Sequence, residues 1–182
     1  MAYTSPTVRF ADGTFMSDSR KIATEIEKRQ PNPSVHLDSD FLRSVEGIMP
    51  QLMAALAPMI LPNVVKTLLN EESVAYWNET RTKRAGMPLD QFEREKGGQQ
   101  MWANAKPHLD QVTELLQQNS AGPFFEGDNI SYVDFVWGGF LIFLMRIGTD
   151  FWEKLLQTIG PDSDVHSKLL LGLDPYSQRS DH

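Results

Sequence analysis

The sequence contains no cysteine and has fewer basic than acidic residues. The lack of cysteine excludes disulfides, a thiol nucleophile of the chain's own and a cysteine-ligated metal cluster. With 17 Lys and Arg against 24 Asp and Glu, the net charge of −7 argues against nucleic-acid binding. The longest apolar stretch, around residues 135–145, is too short to span a bilayer, and the first residues lack the apolar core of a signal peptide. We therefore expect a cytoplasmic protein that does not bind membranes.

The histidines are scattered along the chain and do not form a metal-binding motif. They are His36, His108, His166 and His182. Helix-borne metal sites use spacings such as H-x-x-x-H or H-E-x-x-H, which place two ligands on one face. Neither spacing occurs here, so we expect no metal site.

A short hairpin and a helix are predicted at the start of the chain. Residues 7–10 and 14–16 are typical of strands joined by an Asp-Gly turn. Apolar residues at helical spacing then predict a helix that begins at Ser17 or Ser19 and ends before Pro31.

The rest of the chain is predicted to be helical, which makes the fold class mostly α with a small α/β piece in front. Caps and apolar periodicity predict helices over residues 38–56, 71–85, 99–118, 131–147 and 151–159, with a short one at 166–171. Residues 88–96 are predicted to form a short helix or a turn. Pro50 is expected to bend the first of these helices, and Pro58 and Pro62 to end it.

An Asp-Ser pair, Asp18-Ser19, opens the first predicted helix. The free backbone N–H groups at a helix N-terminus, together with the helix dipole, attract a carboxylate. An acidic side chain and a hydroxyl at the same point can hold an amine and a carboxylate, which is the chemistry of binding an amino-acid head group. The alternative is that the two residues only cap the helix.

A capping box precedes the most apolar predicted helix. Ser131 and Asp134 have the spacing of the reciprocal cap, and Ile130 and Phe135 occupy the positions of the hydrophobic staple. The helix that follows is apolar on all sides, which is typical of the centre of a helical bundle. We interpret the box as a folding element and not as a catalytic one.

The N-terminal pattern resembles the second half of the glutathione-binding domain of glutathione transferases. The resemblance rests on Ser5-Pro6, the hairpin and Asp18-Ser19. In that family an acidic residue and a serine at this helix start bind the γ-glutamyl end of glutathione, and the residue before a cis-proline presents its backbone to the cysteinyl part. The resemblance therefore implies glutathione as the ligand, with Ser5, Asp18 and Ser19 as binding residues.

The same resemblance implies a domain organisation. It predicts a truncated thioredoxin-like α/β region over residues 1–33, followed by the family's all-α domain over residues 34–182. The family's first strand and helix, which carry the group that acts on the glutathione thiol, would lie before Met1, so no catalytic residue is assigned. Members of the family are usually dimers, which makes a homodimer a possible assembly.

Residues 76–89 are similar to the fifth helix of fungal and etherase-like glutathione transferases, which usually carries an aromatic pair and a T-R-x-x-R run. In the family this region walls the electrophile pocket. The resemblance assigns Tyr76, Trp77 and Arg81 to that wall. The alternative is that the two aromatic side chains pack in the core while the arginine lies on a solvated helix face.

The function implied by these resemblances is binding of glutathione and addition of its thiolate to a hydrophobic small molecule, giving a conjugate. Two alternatives stay open. One is glutathione-dependent cis-trans isomerisation in small-molecule metabolism, with glutathione as a cofactor that is not consumed. The other is a protein that binds glutathione or another ligand without catalysis.

Overall fold

A computed structural model describes residues 6–148 and 150–178 of the chain. Its elements in chain order are β1 (Thr7–Arg9), β2 (Phe15–Ser17), α1 (Ser19–Arg29), α2 (Asp40–Thr67), α3 (Glu71–Ala85), α4 (Leu89–Lys96), α5 (Gln99–Gln117), α6 (Tyr132–Ile147), α7 (Phe151–Ile159), a 3₁₀ turn (Pro161–Ser163) and α8 (Asp164–Ser177). The described part is mostly helical with a small two-stranded sheet, as the sequence predicted.

The hairpin places α1 directly after the second strand. β1 and β2 pair antiparallel with Val8 opposite Met16. The turn between them needs Gly13, whose φ of 86° lies in the left-handed region. Asp12 also stabilises the turn, because its carboxylate accepts the backbone N–H of Thr14 at 2.9 Å. The predicted turn is confirmed, and α1 begins at Ser19, two residues after β2 ends.

α2 continues through its prolines, so the predicted end at Pro58 is wrong. A proline inside a helix removes one backbone hydrogen bond and bends the axis. The continuation is nevertheless stable because the residues after the predicted end are buried, and burying apolar side chains offsets the lost bonds. The buried residues of this second half are Pro58, Met59, Ile60, Pro62 and Val64.

α2 is the central helix of the bundle and packs against α4, α5 and α6. It is also the one helix of the described part that is long and apolar enough to cross a membrane, with 28 residues and a most apolar window of mean hydropathy 1.6. Its residues Leu42, Leu52 and Leu56 are fully buried in the shared core. That burial is what a central bundle helix requires.

The start of α6 contains the predicted capping box. One carboxylate oxygen of the buried Asp134 accepts the backbone N–H of Ser131 at 2.7 Å and its hydroxyl at 2.8 Å. The other oxygen accepts the backbone N–H of Phe125 at 2.9 Å. Burial raises the pKa of the Asp134 carboxyl, and these hydrogen bonds oppose that shift. Asp134 therefore holds the preceding loop against the helix as well as capping it.

α8 is longer than the predicted segment 166–171. The sequence signal weakens at Gly172 and Pro175, but the helix continues to Ser177 because it packs against α6. The approach is close: a Cβ atom built on Gly138 of α6 would lie 2.1 Å from Cδ1 of Leu173. A glycine on the neighbouring helix thus makes room for a buried side chain of α8.

Candidate functional site

The first turn of α1 has a cap that uses only part of its hydrogen-bonding capacity. Asp18 is the N-cap, and one oxygen of its carboxylate accepts the backbone N–H groups of Arg20 at 2.9 Å and Lys21 at 3.3 Å. Asp18 has a φ of 84°, a left-handed conformation that aspartate tolerates better than most residues. Within the part of the chain that the structure describes, its second carboxylate oxygen has no hydrogen-bond partner.

The next residue, Ser19, has two hydrogen-bond donors, its backbone N–H and its hydroxyl, that are available to a ligand. Its side chain is exposed, and neither its backbone N–H nor its hydroxyl hydrogen bonds with another of the described residues. The first turn of α1 contains no acidic side chain, and Arg20 and Lys21 come next. The helix dipole and these charges favour an anion at this point. The start of α1 can therefore donate to a carboxylate through Ser19 and accept from an amine through Asp18.

Ser5, the third residue assigned to ligand binding, lies outside the described residues. The cis peptide bond expected ahead of Pro6 involves Ser5 and so also lies outside them. Among residues 6–148 and 150–178, the cis X-Pro bond is Asn32-Pro33, in the linker between α1 and α2. The role assigned to Ser5 therefore stays a prediction.

The three residues assigned to the pocket wall lie on α3 in different environments. Trp77 is half-buried and donates its indole N–H to the carbonyl of Leu61 on α2 at 3.0 Å. The guanidinium of Arg81 stacks on the Trp77 ring, with Cζ 4.3 Å from the ring centroid. Tyr76 is 68% exposed. Trp77 therefore joins α3 to α2, while Tyr76 is free to contact a ligand.

The cavities of the described helical part include a crevice beside α3 and a larger one beside α8. A crevice of about 370 Å³ lies between α2, α3 and α4, and α3 contributes Asn78 and Thr82 to its lining. A larger cavity of about 600 Å³ lies between the end of α5 and α8, with Leu116, Val165 and Leu171 among its lining residues. None of the five described residues assigned to ligand or substrate lines either cavity.

The described residues do not join the two predicted groups into one enclosed site. Among residues 6–148 and 150–178, no hydrogen bond or ion pair links Asp18 or Ser19 to the wall residues of α3. Among the same residues, no group of three or more His, Cys, Asp or Glu side chains is placed to hold a metal ion.

Arg20 is a residue of this region that sequence reasoning missed. Its guanidinium donates to the carbonyl of Leu37 at 2.5 Å and lies 5.6 Å from the ring centroid of Tyr132. It also approaches the Glu46 carboxylate on α2 at 3.8 Å. The position next to the Asp-Ser pair was a signal, but the partners are distant in sequence. Arg20 thus ties the start of α1 to the helical domain.

Comparisons with known proteins identify the class of this fold. Residues 45–163 match the family model described as glutathione S-transferase, C-terminal domain. The glutathione S-transferase CsGST63524 of Ceriporiopsis subvermispora, crystallised in complex with glutathione, is 26% identical, with a TM-score of 0.78 over 99% of this chain and 74% of that one. Glutathione transferase GSTFuA3 of Phanerochaete chrysosporium shares the fold at 18% identity, with a TM-score of 0.81 over 98% of this chain and 72% of that one.

Since the family model covers more than half of the chain, the chain belongs to the glutathione S-transferase family. Among curated proteins, the glutathione S-transferase-like protein ustS of Aspergillus flavus is 24% identical over 152 residues, 78% of this chain and 55% of the relative. The chain therefore spans about half the length of that relative. The expected fold class, a thioredoxin-like remnant followed by the family's all-α domain, is confirmed.

Proposed function

We propose that the chain binds glutathione at the start of α1 and takes part in glutathione-dependent conversion of a hydrophobic small molecule. The observation that carries the proposal is the unused pair of groups at this helix start. Ser19 has a free N–H and hydroxyl, and Asp18 has a free carboxylate oxygen, among the described residues. A relative of the same fold is crystallised with glutathione, which supports the choice of ligand.

The γ-glutamyl end of glutathione matches these groups in charge and in polarity. Its carboxylate would accept from the N–H and hydroxyl of Ser19, where the helix dipole stabilises negative charge. Its ammonium would donate to the free oxygen of Asp18, a charge-assisted hydrogen bond. Under this proposal residues 1–33 form the glutathione-binding region and residues 34–182 the all-α domain. Ser5 would present its backbone to the cysteinyl part.

In the same proposal the reaction partner binds beside α3. Tyr76, with its exposed ring, and the Arg81 guanidinium stacked on Trp77 would contact an aromatic or carbonyl-bearing molecule. In conjugation, the glutathione thiol gives its proton to solvent and the thiolate forms a new S–C bond with an electrophilic carbon. As that bond forms, either a π bond at the carbon opens and its other atom takes a proton from solvent, or a leaving group departs with the electron pair of its bond to the carbon. In isomerisation the thiolate adds, the former double bond rotates, and the thiolate leaves again. Counting glutathione before and after turnover distinguishes the two reactions.

Calorimetric titration with glutathione tests the binding site directly. The informative variant is Asp18→Asn, because asparagine also caps helices well and tolerates a positive φ, so α1 should keep its start. The variant loses only the negative charge that would hold the ammonium. We expect binding to weaken by about tenfold or more, the usual loss for a hydrogen bond to a charged group.

N-acetylated glutathione is the matched ligand, since it lacks the ammonium. It should bind the parent protein weakly, and Asp18→Asn should weaken it no further. Ser19→Ala, which removes the hydroxyl and keeps the N–H, should weaken binding of both ligands. Equal affinity of the parent protein and Asp18→Asn for glutathione would place the ligand elsewhere, and no binding by the parent protein would reject the proposed function.

A further inference from the structure

The linker between α1 and α2, residues 30–39, is fastened to α1 by side-chain hydrogen bonds. The Glu27 carboxylate accepts the hydroxyl of Ser34 at 2.5 Å and the backbone N–H of Val35 at 3.1 Å. Arg20, one residue after Ser19, donates to the carbonyl of Leu37. Two side chains on α1 thus hold the middle of the linker.

The same linker is fastened to the helical domain from its other side. The backbone N–H of Tyr132, the first residue of α6, donates to the carbonyl of Val35 at 2.7 Å. The next linker residue, His36, pairs through Nδ1 with the Glu126 carboxylate. The linker is therefore a bridge from the ligand-binding helix to the start of α6.

Glu126 lies on a loop that the core holds in place. Its neighbour Phe125 is fully buried and donates its backbone N–H to Asp134. Backbone hydrogen bonds between Phe124 and Gly127, at 3.0 and 3.1 Å, close the loop around Glu126. A side chain on so fixed a loop can anchor the linker at a defined point.

We infer that His36 and Glu126 position α1, and with it the Asp18-Ser19 pair, for ligand binding. The inference rests on the proposed function, since the site it concerns is the proposed glutathione site. Among the described residues, no hydrogen bond or ion pair joins His36 to Asp18 or Ser19, so it acts through the linker and not on the ligand. Opening the pair releases one of the two polar contacts described above between the linker and the α6 region, and lets α1 move relative to the helical domain.

The charged groups that face His36 are all acidic, so the strength of its contact with Glu126 should depend on pH. Glu126 faces it from the loop, Glu27 from α1 and Asp38 from the linker itself. The hydrogen bond with Glu126 raises the pKa of His36 above its ordinary value of 6.5. A raised histidine pKa stabilises the fastened state below about pH 6.5, and this stabilisation is lost as the pH rises through the folded-state pKa. Ligand affinity should fall over the same interval.

The experiment is a calorimetric titration with S-methylglutathione between pH 6 and pH 8, because this probe has no thiol to ionise. The variant Glu126→Gln keeps an acceptor for His36 and removes the charge. His36→Asn keeps a residue suited to the left-handed φ of 52° at this position and removes the titration. Ionisation of the ligand's amine is common to all the proteins and cancels in the ratio of their affinities.

Between pH 6 and pH 8 we expect the affinity of the parent protein to fall about two- to fivefold more than the affinities of Glu126→Gln and His36→Asn. This factor corresponds to the free energy that a half-exposed ion pair contributes. Hydrogen exchange of the Tyr132 amide should be faster in both variants at pH 6. If the affinity of Glu126→Gln changes with pH as that of the parent protein does, the inference is wrong, but the proposed function is unaffected. Failure of the parent protein to bind at any pH overturns the proposed function and this inference with it.

Discussion

The indole N–H of Trp137 donates to Nδ1 of His166 at 3.0 Å in the centre of the bundle. Nε2 of the same imidazole lies 2.9 Å from the hydroxyl of Thr113, and that hydroxyl donates to the carbonyl of Leu109 at 2.8 Å. Since the indole can only donate and the threonine proton is already used, the imidazole is neutral with its proton on Nε2. Both ring nitrogens of this fully buried side chain are therefore satisfied without a charge.

This network predicts a loss of stability in mild acid. Burial lowers the pKa of His166 from 6.5 to about 4. A depressed histidine pKa stabilises the fold fully above the unfolded-state pKa, and this contribution is lost as the pH falls from about 6.5 to about 4. The expected loss from this residue is on the order of 3 kcal/mol. The free energy of unfolding by urea, measured from pH 7 to pH 4, checks it.

The variant His166→Gln isolates the histidine from the other acid effects. Glutamine can reproduce part of the hydrogen bonding with Trp137 and Thr113 but does not titrate, so stability at pH 7 should fall by about 1–3 kcal/mol while its pH dependence becomes shallower. His108→Gln on α5 leaves the network intact and should keep the parent slope. A parent slope retained by His166→Gln would contradict the assignment.

Asp134→Asn should destabilise the protein by roughly 2–3 kcal/mol, because the amide offers one acceptor oxygen where the carboxylate accepts from three donors. The NH₂ group of the asparagine would also face the backbone N–H of Phe125 or of Ser131, and two donors cannot hydrogen bond with each other. Thermal unfolding monitored by circular dichroism measures the loss. The control Asp128→Asn changes an exposed carboxylate in the same segment and should stay within about 0.5 kcal/mol of the parent. Equal thermal midpoints for both variants would show that the hydrogen bonds of Asp134 do not stabilise the fold.

Features set by local chemistry were predictable from the sequence. α3 ends at Ala85 because Gly86 takes the left-handed conformation that a helix end favours, with a φ of 75°. The capping box of Ser131 and Asp134 and the start of α1 at Ser19 follow from the same kind of short-range signal. In such signals the interacting residues lie within one helical turn of each other, so a short stretch of sequence shows both partners.

Features that depend on distant partners were not predictable. The extension of α2 past Pro58 depends on burial against other helices, which outweighs the proline's local preference. The contact of His36 with Glu126 joins residues far apart in the sequence, and no local pattern marks either partner. For the candidate site, the sequence therefore indicated the Asp-Ser pair but not the linker that holds its helix in place.

Trp77 and Tyr76 are neighbours in sequence, and their different environments predict unequal losses of stability on substitution. Trp77→Phe keeps a ring under Arg81 but removes the hydrogen bond to the Leu61 carbonyl, so it should cost about 1 kcal/mol. Tyr76→Phe changes an exposed ring and should stay within about 0.5 kcal/mol of the parent. Urea unfolding compares them. Equal losses would mean that the tryptophan does not join α3 to α2.

The adjacent glycines of α6 should respond oppositely to alanine. A Cβ on Gly139 meets nothing within 4 Å, so Gly139→Ala should stabilise the helix by about 0.5–1 kcal/mol through reduced unfolded-state freedom. A Cβ on Gly138 would lie 2.1 Å from Leu173 Cδ1, and displacing that buried side chain should cost about 1–3 kcal/mol. Thermal midpoints of the two variants should therefore lie on either side of the parent. A Gly138→Ala protein as stable as Gly139→Ala would show that α8 does not pack this closely on α6.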